Sequence, residues 1–437
     1  MLRSFQVANH KSIKAEQELQ LMPVHDKTQP VVPVAAIYGA NASGKSNLLD
    51  ALRFMRQAVR ESFRVWESET GIPRSPYALD ISGRVDPSSY VAELVLDGVE
   101  HLYGFILDDE RVLEEWLYSY PRKKKRVVFE RKGMDVSLGS TIPEQASKID
   151  LISKLLQENS LVLSAAGQVT ALPEADPVNH WFRTRLMFAD NSRLTRGEVS
   201  AKRVQAALAQ HPGFLDLVRA ADMGVTGIRV ENVAESPDEL TQTGLLAAAQ
   251  AVDERDGTLN EARLLQELGT PKVRARLVFF HGEASLPMSA KDQSDGTLAW
   301  LGLLPLTLDA LSAGRVLIVD ELDSSLHPRL IARLVELFHD KRTNPKRAQL
   351  IFTTHDATLL GTSFGREILG RDEIWFVDKD RDNQSKLVAL TDFRPRKEDN
   401  RERRYLAGSY GGVPAVFSDT FVEAMLATRP EKRDAEA

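Results

Sequence analysis

Eight consecutive residues, Gly39-Ala40-Asn41-Ala42-Ser43-Gly44-Lys45-Ser46, fit the pattern G-x-x-x-x-G-K-[ST]. The chemistry such a run offers is phosphate binding. Glycines let successive backbone N–H groups turn toward phosphate oxygens, and the start of a following helix adds a favourable dipole. Lys45 supplies a point charge for the β- and γ-phosphates, and the Ser46 hydroxyl suits Mg²⁺, a hard cation that takes few protein ligands. Gly39, Asn41, Gly44, Lys45, Ser46 and Asn47 are therefore the candidate nucleotide-binding residues. A second constellation, Val316-Leu317-Ile318-Val319-Asp320-Glu321, is an apolar run ending in two carboxylates. There Asp320 would hold Mg²⁺ through water, and Glu321 would orient and deprotonate an attacking water as general base. Two adjacent acids often do no more than begin a solvated loop, so it is the buried-strand pattern before them that gives the pair its weight.

These groups need elements to position them. Residues 31–38, Val-Val-Pro-Val-Ala-Ala-Ile-Tyr, read as a strand buried on both faces, and Gly39 ends it. From Ser46 onward Leu48, Leu49, Leu52, Met55 and Val59 recur at helical spacing, which predicts strand, phosphate loop and helix in that order. Alternating residues over about 88–131 predict antiparallel hairpins, one of them turning at Asp97-Gly98. The stretch from about 140 to 270 is mainly helical in pattern. A strand at 273–280 follows, then a helix from about 296, a strand at 315–319, a helix at 328–339, a strand at 349–353 and a strand pair at 373–377 and 386–390. The predicted division is an N-terminal lobe over 1–135, a mainly helical insertion over 136–272 and a C-terminal lobe over 273–437.

Lys45 and Asp320 are 275 positions apart, which a compact P-loop GTPase has no room for. That layout resembles the ABC/SMC superfamily, including the RecF and OLD-like ATPases, in which an insertion separates the Walker A lobe from the Walker B lobe. Gln293-Ser294-Asp295-Gly296-Thr297 looks like the signature loop of that superfamily. The resemblance implies that Ser294 and Gly296 meet the γ-phosphate held by a partner subunit, while an ordinary helix N-cap at Ser294 stays open as the plainer reading. Leu322-Asp323-Ser324-Ser325-Leu326-His327-Pro328 resembles the D-loop, with Asp323 at the dimer interface, and Ile351-Phe352-Thr353-Thr354-His355-Asp356 resembles the switch segment, with His355 at the γ-phosphate. Asn9-His10-Lys11-Ser12-Ile13 is similar to the opening of RecF-like and SMC-like heads, with His10 where phenylalanine is usual. No glutamine is assigned to a Q-loop; Gln168 is the candidate against a plain loop residue.

The segments Asp372–Asp380, Thr391–Arg396 and Tyr405–Pro414 are similar to the AAA-type, ABC-type ATPases typified by the RloA and AbiLi abortive-infection proteins. What this resemblance implies is an α/β, two-lobed ATPase head with a parallel core sheet, an antiparallel hairpin sheet and a helical insertion. It further implies ATP and Mg²⁺ as ligands, head-to-head pairing of two copies or a higher oligomer, and a separately encoded effector in anti-phage defence. A RecF-like ATPase that binds nucleic acid is the alternative, and an OLD-like nuclease using Asp378 and Asp380 is a third.

Composition narrows the field further. With 56 basic and 62 acidic residues the net charge is −6, so no global field draws the chain onto nucleic acid and any such contact must be local. The run Arg122-Lys123-Lys124-Lys125-Arg126 is the obvious local patch, although its position between two predicted strands suits a solvated hairpin tip. The absence of cysteine excludes disulfides and thiolate chemistry and fits the cytoplasm. No signal-peptide pattern opens the chain, and the longest apolar run, Leu298–Leu311, falls short of the roughly 20 residues of a membrane span, so no membrane partner is expected.

Overall fold

Val34–Gly39 (β3) is buried at every position, which an isolated strand could not tolerate and a strand with neighbours on both edges and layers on both faces requires. Those neighbours are visible in the computed structural model, which describes residues 1–24, 29–66, 71–169, 172–189, 199–234, 273–282, 286–362, 365–394, 399–413 and 418–428. The strands, in chain order, are β1 (Leu2–Ala8), β2 (Gln17–Gln20), β3, β4 (Ser88–Leu96), β5 (Val99–Leu107), β6 (Val112–Tyr120), β7 (Arg126–Lys132), β8 (Asp135–Leu138), β9 (Leu186–Ala189), β10 (Val225–Ala234), β11 (Val273–His281), β12 (Pro287–Ser289), β13 (Val316–Val319), β14 (Gln349–Thr354), β15 (Ile374–Lys379) and β16 (Ser385–Ala389). The helices that matter to the first unit are α1 (Lys45–Glu61), α2 (Ile81–Val85), α3 (Gln145–Leu155), α4 (Val162–Val169) and α5 (Asp176–Thr184).

The described residues fold as mixed α/β with three sheets. A six-stranded sheet has the order β16-β15-β3-β14-β13-β9, parallel from β15 to β9, with β16 antiparallel at its edge. A seven-stranded antiparallel sheet runs β2-β1-β4-β5-β6-β7-β8, and β10-β11-β12 form a third. The turn between β4 and β5 has both Asp97 (φ 49°) and Gly98 (φ 81°) in the left-handed region, the type I′ geometry whose twist matches a hairpin.

The chain divides into two compact units, Met1–Ala189 with Ala310–Asp323 and Ile331–Ala437, and Asp190–Asp309 with Ser324–Leu330. This moves the expected boundaries. Residues 136–189, assigned to the insertion from their helical pattern, pack with the first unit, and residues 273–309 cluster with the second. The stretch expected to be mainly helical also contains strands. Leu186-Met187-Phe188-Ala189 pairs in parallel with β13, and Val225–Ala234 pairs with β11. A four-residue apolar strand that follows an amphipathic helix after one intervening residue is indistinguishable from that helix's end by periodicity alone, so β9 does not stand out from the mainly helical pattern around it. Residues 235–272, the rest of the expected insertion, lie outside the described residues.

In the first unit one continuous apolar core joins the two larger sheets across α1. Leu48, Leu49, Leu52, Met55 and Val59 of α1 are buried with Phe5, Tyr90, Phe105 and Leu117 of the antiparallel sheet and Ile37, Ile318 and Ile351 of the parallel one. A buried polar joint fixes α4 to this core. Glu115 on β6 accepts hydrogen bonds from the Val162 and Leu163 N–H groups at 2.6 and 3.0 Å and from the Tyr103 hydroxyl at 3.0 Å, with Arg131 at 3.8 Å. Burial pushes the Glu115 carboxyl above its ordinary range against the pull of Arg131 and those donors.

His10, the residue that departs from the usual phenylalanine, keeps an aromatic place between Phe54 and Tyr90 and adds two polar contacts. Its Nδ1 lies 2.8 Å from the Tyr90 hydroxyl and its Nε2 3.0 Å from Asp50 on α1, whose carboxylate also pairs with Lys11 at 2.6 Å. Burial works against ionisation of Asp50, yet hydrogen bonds from His10 and Lys11 outweigh it and hold the carboxyl down at about 2. A folded-state pKa below the unfolded value contributes stability that is present above about pH 4 and lost as pH falls toward 2. Asp50→Asn is accordingly expected to lower the thermal midpoint at pH 7, and the gap from the parent chain should close between pH 4 and pH 2 in a thermal-unfolding series.

Among the described residues one helix, Asp295–Ala313, is long and apolar enough by length and composition to cross a bilayer, because three residues before the apolar run and two after it join the helix. Its apolar window is 72% buried inside the protein, the pattern of a core helix.

Candidate nucleotide-binding site

Three parallel strands end side by side in the order β3, β14, β13, and each delivers part of the predicted chemistry from its C-terminal end. After β3 the chain turns through Ala40–Gly44 into α1. Two glycines make that turn feasible. A Cβ on Gly39 would sit 2.5 Å from the Val377 carbonyl oxygen, and one on Gly44, which has φ 106°, would run into the Ser385 and Ser12 hydroxyls. Asn47 and Leu48 N–H groups return to the Gly44 carbonyl at 3.0 and 3.3 Å and start the helix.

Lys45 is buried at its side chain, with only 5% of the residue exposed, and its Nζ donates to the Gly39 and Ala40 carbonyls at 2.7 and 3.0 Å. The same Nζ lies 3.4 Å from His355 Nδ1, so residues 310 positions apart meet at the loop. Burial lowers the Lys45 pKa below its ordinary value, while Glu321, Asp320 and Asp323 pull it back up. These three carboxylates are therefore close enough to the ammonium to be felt electrostatically.

The second and third strand ends are tied to each other. The Thr353 hydroxyl on β14 donates to Asp320 Oδ1 at 2.5 Å and accepts from the Glu321 N–H at 2.6 Å, and the Leu322 N–H donates to the Thr353 carbonyl at 3.0 Å. Glu321 itself has φ 50°, a left-handed backbone that costs a non-glycine residue about 1 kcal/mol or more and that these bonds hold in place. Asp323 Oδ2 accepts the His355 N–H at 2.9 Å, so the acid two residues after the Asp320-Glu321 pair fixes the backbone that carries the histidine. Glu321 and His355 are exposed at the strand ends and Asp320 is half-buried.

Each sequence-predicted residue can now be placed. The structure brings Gly39, Gly44, Lys45, Asp320, Glu321, Asp323 and His355 to one end of the parallel sheet. Asn41 and Ser46 are exposed on the loop and the first helical turn. Asn47 does something else, since its amide donates to the Ser12 hydroxyl at 2.6 Å. Ser12 in turn shares a 2.6 Å hydrogen bond with Ser385, and the Ser385 hydroxyl lies 2.6 Å from the Ser43 carbonyl, which it can donate to. This chain of polar contacts braces the phosphate loop from the N-terminal turn and from the β15–β16 hairpin. Thr353 stands within the switch segment but the sequence alone assigns it no role there, and Ser385 belongs to no spaced motif, its contact with the loop spanning 342 positions.

Ser294 and Gly296 belong to the second unit. Ser294 Oγ accepts the Thr297 N–H at 3.2 Å and lies 2.9 Å from the Thr297 hydroxyl, so it caps the helix Asp295–Ala313 as the plainer reading expects. A Cβ on Gly296 would lie 3.0 Å from the Ser325 carbonyl, which brings this loop against the segment after Asp323. Gln168 lies in α4, and its side chain falls outside the described residues.

The other two temptations resolve as structural features. Arg122–Lys125 are exposed at the β6–β7 hairpin tip, with Lys125 Nζ 3.5 Å over the Tyr118 ring. Asp380 organises the β15–β16 turn by accepting from the Asp382 and Gln384 N–H groups at 3.0 Å each. Among the described residues no group of three or more histidine, aspartate or glutamate side chains could hold a metal by itself.

The donor set at the loop fits a triphosphate with one Mg²⁺. The glycine cradle admits no side chain, the Ser43 hydroxyl is buried with no hydrogen-bond partner, and the hard oxygen donors Ser46 and Asp320 flank a buried ammonium.

The sequence profile of the family described as "AAA domain, putative AbiEii toxin, Type IV TA system" matches residues 34–361. No curated protein matches the sequence. Among solved structures the chain is similar to the Smc head domain with an extended coiled coil, bound to the C-terminal domain of ScpA, from Pyrococcus furiosus. That likeness has 13% identity and a TM-score of 0.39, and it covers 90% of this chain and 97% of that one. The family match runs from the first residue of β3 past His355 and so takes in every group gathered at the strand ends, over well more than half of the sequence: the chain belongs to this AAA-domain family.

Proposed function

We propose that the chain binds Mg-ATP at Gly39–Asn47 and hydrolyses it as a regulatory ATPase. The observation that carries this reading is the meeting of Lys45, His355, Asp320, Glu321 and Asp323, drawn from three strand ends, around one glycine cradle. Lys45 and the loop N–H groups hold the phosphates, Glu321 orients and deprotonates the attacking water, and His355 stands by the γ-phosphate. Ser46 and Asp320 would hold Mg²⁺, which would supply positive charge to offset the charge developing on the phosphate oxygens. The N-terminal turn and the β15–β16 hairpin keep the cradle in shape. Ser385→Ala removes two hydrogen bonds behind it, each worth about 1 kcal/mol net. The expected result is a rise of about 5- to 30-fold in the ATP dissociation constant with a thermal midpoint shifted by only a few degrees, read by calorimetric titration and thermal unfolding side by side.

The finer part of the proposal is that two copies pair head to head around ATP, each offering Ser294 and Gly296 at a helix start to the γ-phosphate on the other. Hydrolysis then releases the pair and alters control of a separately encoded effector. The likeness to RloA and AbiLi abortive-infection ATPases supports that role, and the family description, which names a toxin and a type IV TA system, points the same way. The test is the solution mass of Glu321→Gln with and without Mg-ATP, together with phosphate release by the parent chain. Doubling of mass with Mg-ATP supports pairing. An unchanged mass contradicts it, and absence of phosphate release contradicts the ATPase reading itself.

A further inference from the structure

At the opposite end of the parallel sheet, where β9, β13 and β14 begin rather than end, lies a cavity of about 420 Å³ within the first unit. Its wall carries Arg185, Lys346, Arg347 and His180, a face of the buried Trp181, and one acid, Asp97. In a chain of net charge −6 this is a local reversal of sign. Among the described residues none of Arg185, Lys346 and Arg347 forms an ion pair. Three cations gathered in a concave site against the single acid Asp97 repel one another and focus a positive potential there.

The loop that presents two of these cations is built rather than loose. Asn344, 6% exposed, donates to the Phe338 and Ala348 carbonyls at 2.8 and 2.9 Å and accepts the Ala348 N–H at 2.6 Å, closing a tight loop over Pro345–Arg347. Arg347 sits in the left-handed region at φ 55°, and the neighbouring Gly314, at φ 66°, leaves no room for a Cβ, which would lie 2.7 Å from the Lys346 carbonyl. Left-handed backbone at a non-glycine residue is retained where surrounding structure over-determines it, and such positions cluster at ligand sites. The Arg185 guanidinium is anchored through one N–H to the Ala313 carbonyl, which leaves a planar fork of further donors suited to phosphate.

We infer that this cavity is a second anion site, which takes a compact polyphosphate-bearing small molecule between Arg185, Lys346 and Arg347. Its volume lies within the roughly 300–1,000 Å³ range of small-ligand pockets. It is not the site of the ATPase reaction, because β13 and β14 run from the cavity to Asp320 and His355 and their length, at about 3.3 Å per residue, separates the two ends by roughly 15–25 Å. For the same reason the site is well placed to report to the catalytic end, since both strands that carry Asp320 and His355 start at it.

The probe is inorganic tripolyphosphate, titrated calorimetrically into the full-length Lys45→Ala chain, so that the glycine cradle contributes little. The comparison is the same chain carrying Lys346→Glu and Arg347→Glu, both exposed positions whose thermal midpoint should not move. The inference expects saturable binding that weakens tenfold or more on charge reversal, regardless of whether ATP binds at Gly39–Asn47. Equal affinity in the two proteins overturns it. Binding of a 5′-phosphorylated oligonucleotide with no binding of tripolyphosphate also overturns it, since the surface would then serve a nucleic-acid strand and not a small anion.

Discussion

Lys45→Ala is expected to weaken Mg-ATP binding by about 100-fold or more while leaving the thermal midpoint within a few degrees of the parent chain. The residue places a buried ammonium where Gly39 and Ala40 carbonyls, His355 and three carboxylates all reach it. Removing it deletes a charged contact to phosphate, worth about 1.5–3 kcal/mol, and strands two inward-facing carbonyls that repel the phosphate oxygens. Stability changes little, because burial has already lowered the lysine's pKa and so taken back part of what its contacts contribute. Equilibrium titration of both proteins measures the difference. Binding by Lys45→Ala within threefold of the parent would place the nucleotide elsewhere.

Glu321→Gln is expected to keep Mg-ATP affinity within about threefold and to lose about 10²- to 10⁴-fold in turnover, the range associated with a positioned general base. The isosteric amide keeps the backbone arrangement, in which the Glu321 N–H donates to Thr353 and φ stays at 50°, so the fold of the strand end is preserved. Only the capacity to take a proton from water is removed. Steady-state phosphate release beside a binding titration separates the two effects. Turnover within threefold of the parent would assign the base to another group, with His355, 3.4 Å from Lys45, next in line.

What could be read from the sequence is what repeats or is spaced. The run 31–38 ending at Gly39, the α1 stripe from Leu48 to Val59, the hairpin at Asp97-Gly98 and the apolar strand before Asp320 all carry local pattern, and the structure has an element at each, with the first strand starting only at Val34 after Pro33. The strand expected at 349–353 was legible for the same reason and runs one residue further, and its pairing with both β3 and β13 is what brings His355 to Lys45. Features set by tertiary pairing were not legible. β9 is four residues long and β10 follows two short helices, so neither separates from helical background by pattern. Thr353, Ser12 and Ser385 contribute through single hydroxyls whose partners lie 32 to 373 positions away, and nothing local marks those contacts. His10 shows the converse. The residue that departed from the usual opening keeps the aromatic packing and gains a bond to Asp50.

The most direct measurement is a calorimetric titration of the full chain with ATP, once with Mg²⁺ and once with chelator. Saturable binding of one ATP per chain is expected, tightening at least tenfold when Mg²⁺ is present, as hard oxygen donors at Ser46 and Asp320 require. No saturable binding under either condition, or an affinity indifferent to Mg²⁺, would contradict it.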